Sequence, residues 1–212
     1  FGGWKAQPRE APEAQTEPDL KQRREEVVRF ATNTPLLLGG WKVPAAKDAD
    51  IVPLKLLGKI LSDGASSRMY RQLVYEKEIA QYAAGDVLTQ VDNSQFYLWA
   101  AARPNVNIDT VEGAMLEVVE QVKSGGVTDQ ELNRAKAQAE SESVGKLKKA
   151  HGIASLLGWS LMYHGDWRPA LSELDRLRAV SKADVQRVAQ KYLSKDRITV
   201  VKLLPEAQEV TP

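Results

Sequence analysis

Apolar positions along this chain change spacing in a definite order: strand-like runs at either end enclose a long central region of helical periodicity. Val27-Val-Arg-Phe30 and Pro35-Leu-Leu-Leu38 through Trp41 and Val43 read as one long or broken first strand, with Gly39-Gly40 marking a bulge or turn. Asp48 or Asp50 is placed to cap the next helix, which tolerates Pro53 in its first turn and turns Leu54, Leu57, Ile60 and Leu61 inward. Gly64 supplies a left-handed residue to end that helix. Ser66 or Ser67 can then cap a second one, where Met69 and Leu73 lie four apart with Tyr70 and Val74 on the same side.

Two further strands, Tyr82 to Val91 and Gln95 to Ala102, follow around a hairpin turn at Asp92-Asn93-Ser94. In the second of them Phe96, Leu98 and Ala100 alternate with Tyr97, Trp99 and Ala101, so one face packs on helices while the other is free to meet a partner. Asp109 to Lys123 is helical, with Val111, Ala114, Met115, Val118, Val119 and Val122 as its stripe and Gly125-Gly126 as its end. Thr128-Asp-Gln-Glu131 is a capping box for a helix running to about Ala150. Helices over Gly152–Tyr163, Ser172–Val180 and Ser181–Leu193 and a strand over Ile198–Leu204 complete the series. The order predicts an α+β fold: a mainly antiparallel sheet packed against helices, burying Leu57, Ile60, Leu73, Leu98, Val118, Leu132, Val188 and Val200. Residues 1–23, rich in proline and polar groups, read as a linker or extended arm, 24–204 as the domain and 205–212 as a tail.

Composition narrows the function classes. With 212 residues, 43% of them hydrophobic, the chain can bury a sizeable core. Lys plus Arg at 29 against Asp plus Glu at 28 leaves a net charge of +1, which gives no electrostatic reason to expect nucleic acid or an anionic membrane. The absence of cysteine removes disulfides, cysteine-based zinc sites and thiol nucleophiles. The most apolar late stretch, Gly152 to Tyr163, is shorter than the roughly 18 residues of a membrane span. The chain begins at Phe1, as expected for a piece of a longer polypeptide.

Self-contained chemistry is nearly missing. The two histidines, His151 and His164, stand thirteen apart and belong to no His-Glu-x-x-His or His-x-x-Glu-His motif; a site joining them to Asp166 has no motif spacing behind it. Ser143-Val-Gly-Lys146 has the Ser-x-x-Lys spacing of some hydrolases but no companion motif. Glu76 with Glu78 and Glu140 with Glu142 read as solvated carboxylates, and Lys146, Lys148 and Lys149 as a wet helix surface. No nucleophile elbow, phosphate loop or dinucleotide fingerprint is present.

The run from Ile60 to Ala80, Ile-Leu-Ser-Asp-Gly-Ala-Ser-Ser-Arg-Met-Tyr-Arg-Gln-Leu-Val-Tyr-Glu-Lys-Glu-Ile-Ala, closely resembles one in the second, non-zinc domain of pitrilysin-like (insulinase family) zinc metallopeptidases. Phe1-Gly-Gly-Trp4 resembles the linker entering that domain, Gly126 to Lys136 its later helix start, and Val180 to Leu193 its closing helix. The resemblance implies a half-shell domain of a zinc metalloendopeptidase. In that arrangement a partner half contributes an Arg and, seven residues on, a Tyr to hold the substrate carbonyl; here those positions are Val74 and Gln81. The resemblance therefore implies a non-catalytic C-terminal domain, inactive by itself, that holds no cofactor while zinc sits in an upstream domain of the same polypeptide.

Its implied partners are that zinc-bearing domain, a second half-shell subunit carrying the Arg/Tyr pair, and a peptide substrate, with no nucleic acid and no membrane span. The peptide's N-terminal end would lie near Ile79, Ala80, Gln81 and Tyr82 and near Gln95 and Phe96. The other role found in the family is that of a structural or assembly subunit without proteolysis. The family's many exported bacterial members point toward the periplasm or cell envelope.

Overall fold

A computed structural model describes residues 3, 5 and 17–206. Most of the expected linker, including Phe1 and Trp4, and the tail beyond 206 lie outside the described residues.

Five strands form one sheet in the order β1-β5-β2-β4-β3: β1 Arg24–Phe30, β2 Leu36–Val43, β3 Ala80–Leu88, β4 Ser94–Ala102 and β5 Thr199–Pro205. All pairings are antiparallel except β1 with β5. The long or broken first strand expected from residues 27–43 is broken, and its two halves are not neighbours because β5 inserts between them. Thr32 accepts the Thr34 N–H on its hydroxyl (3.2 Å), and Pro35 has no N–H to offer a ladder, so the chain leaves the sheet here. Gly39-Gly40 makes no turn. It stays in β2, paired with Leu98 and Tyr97. A Cβ on Gly39 would stand 2.9 Å from Met115 Cε, so this glycine lets a helix approach the sheet closely.

The helices lie on one face: α1 Ile51–Ser62, α2 Ile108–Gly125, α3 Asp129–Leu147, α4 Ala150–His164, α5 Glu173–Ala179 and α6 Lys182–Tyr192. Leu37, Trp41, Phe96, Leu98, Ala100 and Val200 meet α1, α2 and α6 in a continuous core, and all eight expected core residues are buried there. Asp50 precedes α1 but does not cap it with its side chain. Its carboxylate instead takes Arg187 (2.8 Å), Lys191 (2.9 Å) and Tyr192 (2.7 Å), pinning the start of α1 to α6. These partners, Arg187 foremost, hold Asp50 well below the usual carboxylate range despite its burial.

Three other expectations change locally. The second helix, over Tyr70–Glu76, is π-helical, with the Lys77 N–H donating to Gln72 O (2.9 Å) five residues back. Apolar spacing announces a helix without resolving the width of its turn. The hairpin turn is longer than Asp92-Asn93-Ser94, since β3 ends at Leu88 and Ser94 already belongs to β4, its buried hydroxyl accepting the Gln90 N–H (3.1 Å). Finally, α3 stops at Leu147 and α4 starts at Ala150 around a tight corner. A Cβ on Gly152 would fall 1.9 Å from Lys146 O, so only glycine fits that backbone approach.

Candidate functional site

The start of β3 is assembled by groups distant in sequence. Gly64 (φ +77°) ends the turn after α1, and buried Ser67 accepts the Tyr70 N–H at 3.4 Å to launch the π-helical segment. That segment delivers the chain to Ile79, whose N–H donates to Leu73 O (3.0 Å) and whose carbonyl accepts the Arg103 N–H (3.0 Å). The Arg103 guanidinium, from the end of β4, donates to Ala80 O (3.3 Å) and Val74 O (3.3 Å). Arg103 thus brings a guanidinium to the Val74 position that local sequence denied one, with two of its N–H groups on backbone carbonyls and Glu78 3.8 Å from a third nitrogen. Only the Ala80↔Ala102 strand pairing makes this visible.

At Gln81 the register shifts, a bulge that leaves Gln81 exposed with its amide on Ala102 O (3.1 Å) and turns Tyr82 onto the helix-free face. There Tyr82, half exposed, lies 5.0 Å from the Trp99 ring in a tilted pair. Ile79 is half-buried and Ala80 fully buried. Gln95 and Phe96 lie at the other end of the hairpin, opposite Leu88 and Val87, so the structure does not bring them to Ile79–Tyr82. Phe96 is corrected to a packing residue: its ring is fully buried, edge-on to Trp41 at 6.1 Å, and β4 is paired on both sides. Gln95 is exposed.

The two sheet edges differ in chemistry. β1, Arg-Glu-Glu-Val-Val-Arg-Phe, carries four charges in seven residues, the device by which exposed edges resist pairing. β3, Ala-Gln-Tyr-Ala-Ala-Gly-Asp-Val-Leu, carries only Asp86. Gly85 is obligatory there, since a Cβ would meet Tyr97 O and Leu98 Cδ2 at 2.4 Å.

Metal-type side chains do not gather. Among the described residues no group of three His, Cys, Asp or Glu is placed to hold a metal ion. His151 and His164 sit near opposite ends of α4, and Asp166 is engaged by Arg168 (3.0 Å to its N–H), which lowers its pKa. The Lys146-to-Lys149 region ends α3 at the α4 corner. No helix among the described residues is long and apolar enough to cross a membrane.

The site is thus an edge-strand hairpin over a helix layer, and comparison with known proteins places that arrangement in a family. Residues 1–139 match the family described as the Peptidase M16 inactive domain, and the chain belongs to that family. Among curated proteins it is 28% identical over 166 residues to the zinc protease PqqE of Helicobacter pylori, covering 78% of this chain and 37% of that protein. An uncharacterized zinc protease of Mycobacterium leprae is 26% identical over 169 residues, covering 79% of this chain and 37% of its own. The chain thus spans little more than a third of the length of these relatives.

Among solved structures, a protease from Helicobacter pylori superposes with a TM-score of 0.89 at 26% identity, over 97% of this chain and half of that one. The inactive peptidase domain of a Bordetella parapertussis zinc protease gives 0.77 at 27% identity, over 86% and 99%. The five-stranded sheet with its helix layer is therefore the M16 inactive-domain fold.

Proposed function

We propose that this domain completes one half-shell of a zinc metallopeptidase, packing against an upstream zinc-bearing domain and offering the β3 edge to the main chain of a peptide substrate. The observation that carries this reading is the contrast between the edges: β1 is guarded by charge, whereas β3 is nearly uncharged and opens at Ile79, Ala80, Gln81 and Tyr82. An added peptide strand makes main-chain hydrogen bonds whatever its sequence, which suits a peptidase that accepts many peptides. Gln95 lies near the far end of the same hairpin, within reach of a longer peptide. Chemistry comes from elsewhere. A zinc hydrolase needs about three protein ligands, an open position for water and a base, and Val74 and Gln81 cannot stabilise an oxyanion as an Arg/Tyr pair would. In this reading the zinc belongs to the upstream domain and the Arg/Tyr pair to a second half-shell subunit.

The test is amide hydrogen exchange on the purified chain with an extended peptide. Slower exchange confined to residues 80–88, lost when alternate peptide amides are N-methylated, is the expected result; no protection of β3 would refute the reading. Elemental analysis after zinc exposure and dialysis, with peptide turnover measured with and without chelator, checks the division of labour. Stoichiometric zinc with cleavage abolished by His151→Ala or His164→Ala would overturn it.

A further inference from the structure

The helix α4, Ala-His-Gly-Ile-Ala-Ser-Leu-Leu-Gly-Trp-Ser-Leu-Met-Tyr-His, is apolar around most of its circumference, yet Ser160 alone among its residues is buried. A helix of that composition ordinarily sits inside a core. Here one side of it walls a cavity of about 460 Å³, bounded on the other sides by the first turns of α1 and by α5. Ile51, Val52, Leu156, Trp159 and Tyr163 give the cavity an apolar lining. Trp159 stacks on Tyr163 (5.5 Å, 21° between planes), and the Tyr163 hydroxyl donates to Thr89 O (3.1 Å), which fixes the pair. The volume lies within the range of small-molecule sites.

Charge selects the ligand. Lys55, Lys146 and Arg176 reach the same cavity, and among the described residues none of them has a carboxylate within ion-pairing distance, unlike nearby Lys59 and Arg178, which are paired. The Arg176 guanidinium is held by Pro169 O at 2.9 Å, and the tight Gly152 corner sets Lys146 at the rim. Two carboxylates also line the space. Asp48 keeps its charge while accepting the Asp50 N–H (2.8 Å), so with Glu173 two carboxylates face three cations, an excess of one positive charge that matches one further carboxylate. An apolar lining under unpaired cations fits a molecule with an apolar body and one anionic end. We infer that the α1–α4–α5 cavity binds an apolar monocarboxylate, its hydrocarbon or aromatic body on Trp159, Tyr163 and Leu156 and its carboxylate on Lys55 and Arg176.

The test uses the full chain and two probes of equal length, decanoate and decanol, followed by titration calorimetry and tryptophan fluorescence. Decanoate should saturate at one per chain and decanol should bind about tenfold more weakly, the ratio one charge-assisted hydrogen bond supports. Lys55→Gln and Arg176→Gln should each weaken decanoate about fivefold or more without changing decanol, and Trp159→Ala should weaken both probes. Thermal midpoints of the variants check that each is folded; Lys55 and Arg176 have no ion pair to lose. Equal affinity for the two probes, no saturable binding below the micellar concentration, or decanoate affinity indifferent to both cation variants would overturn the inference. N-Acetyl-leucyl-phenylalanine and its C-terminal amide form a second arm: preference for this acid over decanoate assigns the site to peptide C-termini, and the reverse order assigns it to free acids.

Discussion

Replacing Lys202 with Met should destabilise the domain, and the structure says by how much. The Lys202 ammonium lies on the helix-covered face of β5, 7% exposed, 2.7 Å from Glu25 Oε1, 2.7 Å from Asp109 Oδ1 and 3.0 Å from Glu112 Oε2. Burial opposes its charge, but the hydrogen bonds it donates to Asp109, Glu25 and Glu112 outweigh that and hold its pKa well above the ordinary lysine value. Glu25 and Asp109 are open enough to return to water, so losing them costs little. Glu112 is different: 6% exposed, it keeps only Arg23 (2.5 Å) once Lys202 is gone.

Losing one of the two charged partners of a buried carboxylate costs about 1.5–3 kcal/mol. For a domain of this size that is a fall in thermal midpoint of about 3–12 °C. Lys202→Met with Glu112→Leu removes the under-compensated carboxylate and should recover to within about 1 kcal/mol of the parent, since apolar replacements of buried pairs are often neutral. Urea denaturation at pH 7 of the parent, both single variants and the double variant closes the cycle. A Lys202→Met loss under about 1 kcal/mol, or a double variant no better than the single, would show that the cluster is solvated and the reasoning wrong.

Other perturbations probe separate parts of the fold. Glu131 is held at about 2 by its hydrogen bonds to Arg68, against burial, with the Thr128 N–H and hydroxyl adding. A carboxylate lowered in the folded state contributes stability above its unfolded value and loses it as pH falls from about 4.5 to 2, so Arg68→Ala should cost about 2–3 kcal/mol at pH 7 and flatten the acid limb of the stability curve over that window. Leu73→Ala, in the π-helical segment and fully buried, should cost roughly 2–5 kcal/mol by denaturant titration; a loss below about 0.5 kcal/mol would deny that face its place in the core. Gly85→Ala should disturb the β3–β4 ladder, seen as faster amide exchange along β3, because the added Cβ has no room beside Tyr97 O. Unaltered exchange would show that the hairpin yields there.

The α+β class, the helix layer and the core were legible because each rests on local periodicity, and residues such as Val118, Val188 and Val200 answer to spacing alone. The capping box at Thr128 and Glu131 was legible for the same reason, since both halves of it lie within one turn (2.8 and 3.2 Å). That the two halves of the first strand are separated in the sheet was not legible, because nothing near residues 31–35 reveals that β5, more than 160 residues later, inserts between them.

The candidate site follows the same division between near and far. Ile79–Tyr82 could be located from the run that precedes them, whereas the bulge at Gln81, the Arg103 clamp and the burial of Phe96 are products of strand pairing and had no local signal. Lys55 and Arg176 carry no local signal, because each looks like an ordinary surface residue until three helices bring them to one cavity with Trp159. The identities at Val74 and Gln81 were readable one residue at a time, while an unguarded edge and a cation-rimmed apolar hollow exist only in the pairing of elements. Substitutions that test function here should accordingly target side chains joined by the fold, such as Tyr82 with Trp99 or Lys55 with Trp159, rather than neighbours in a motif.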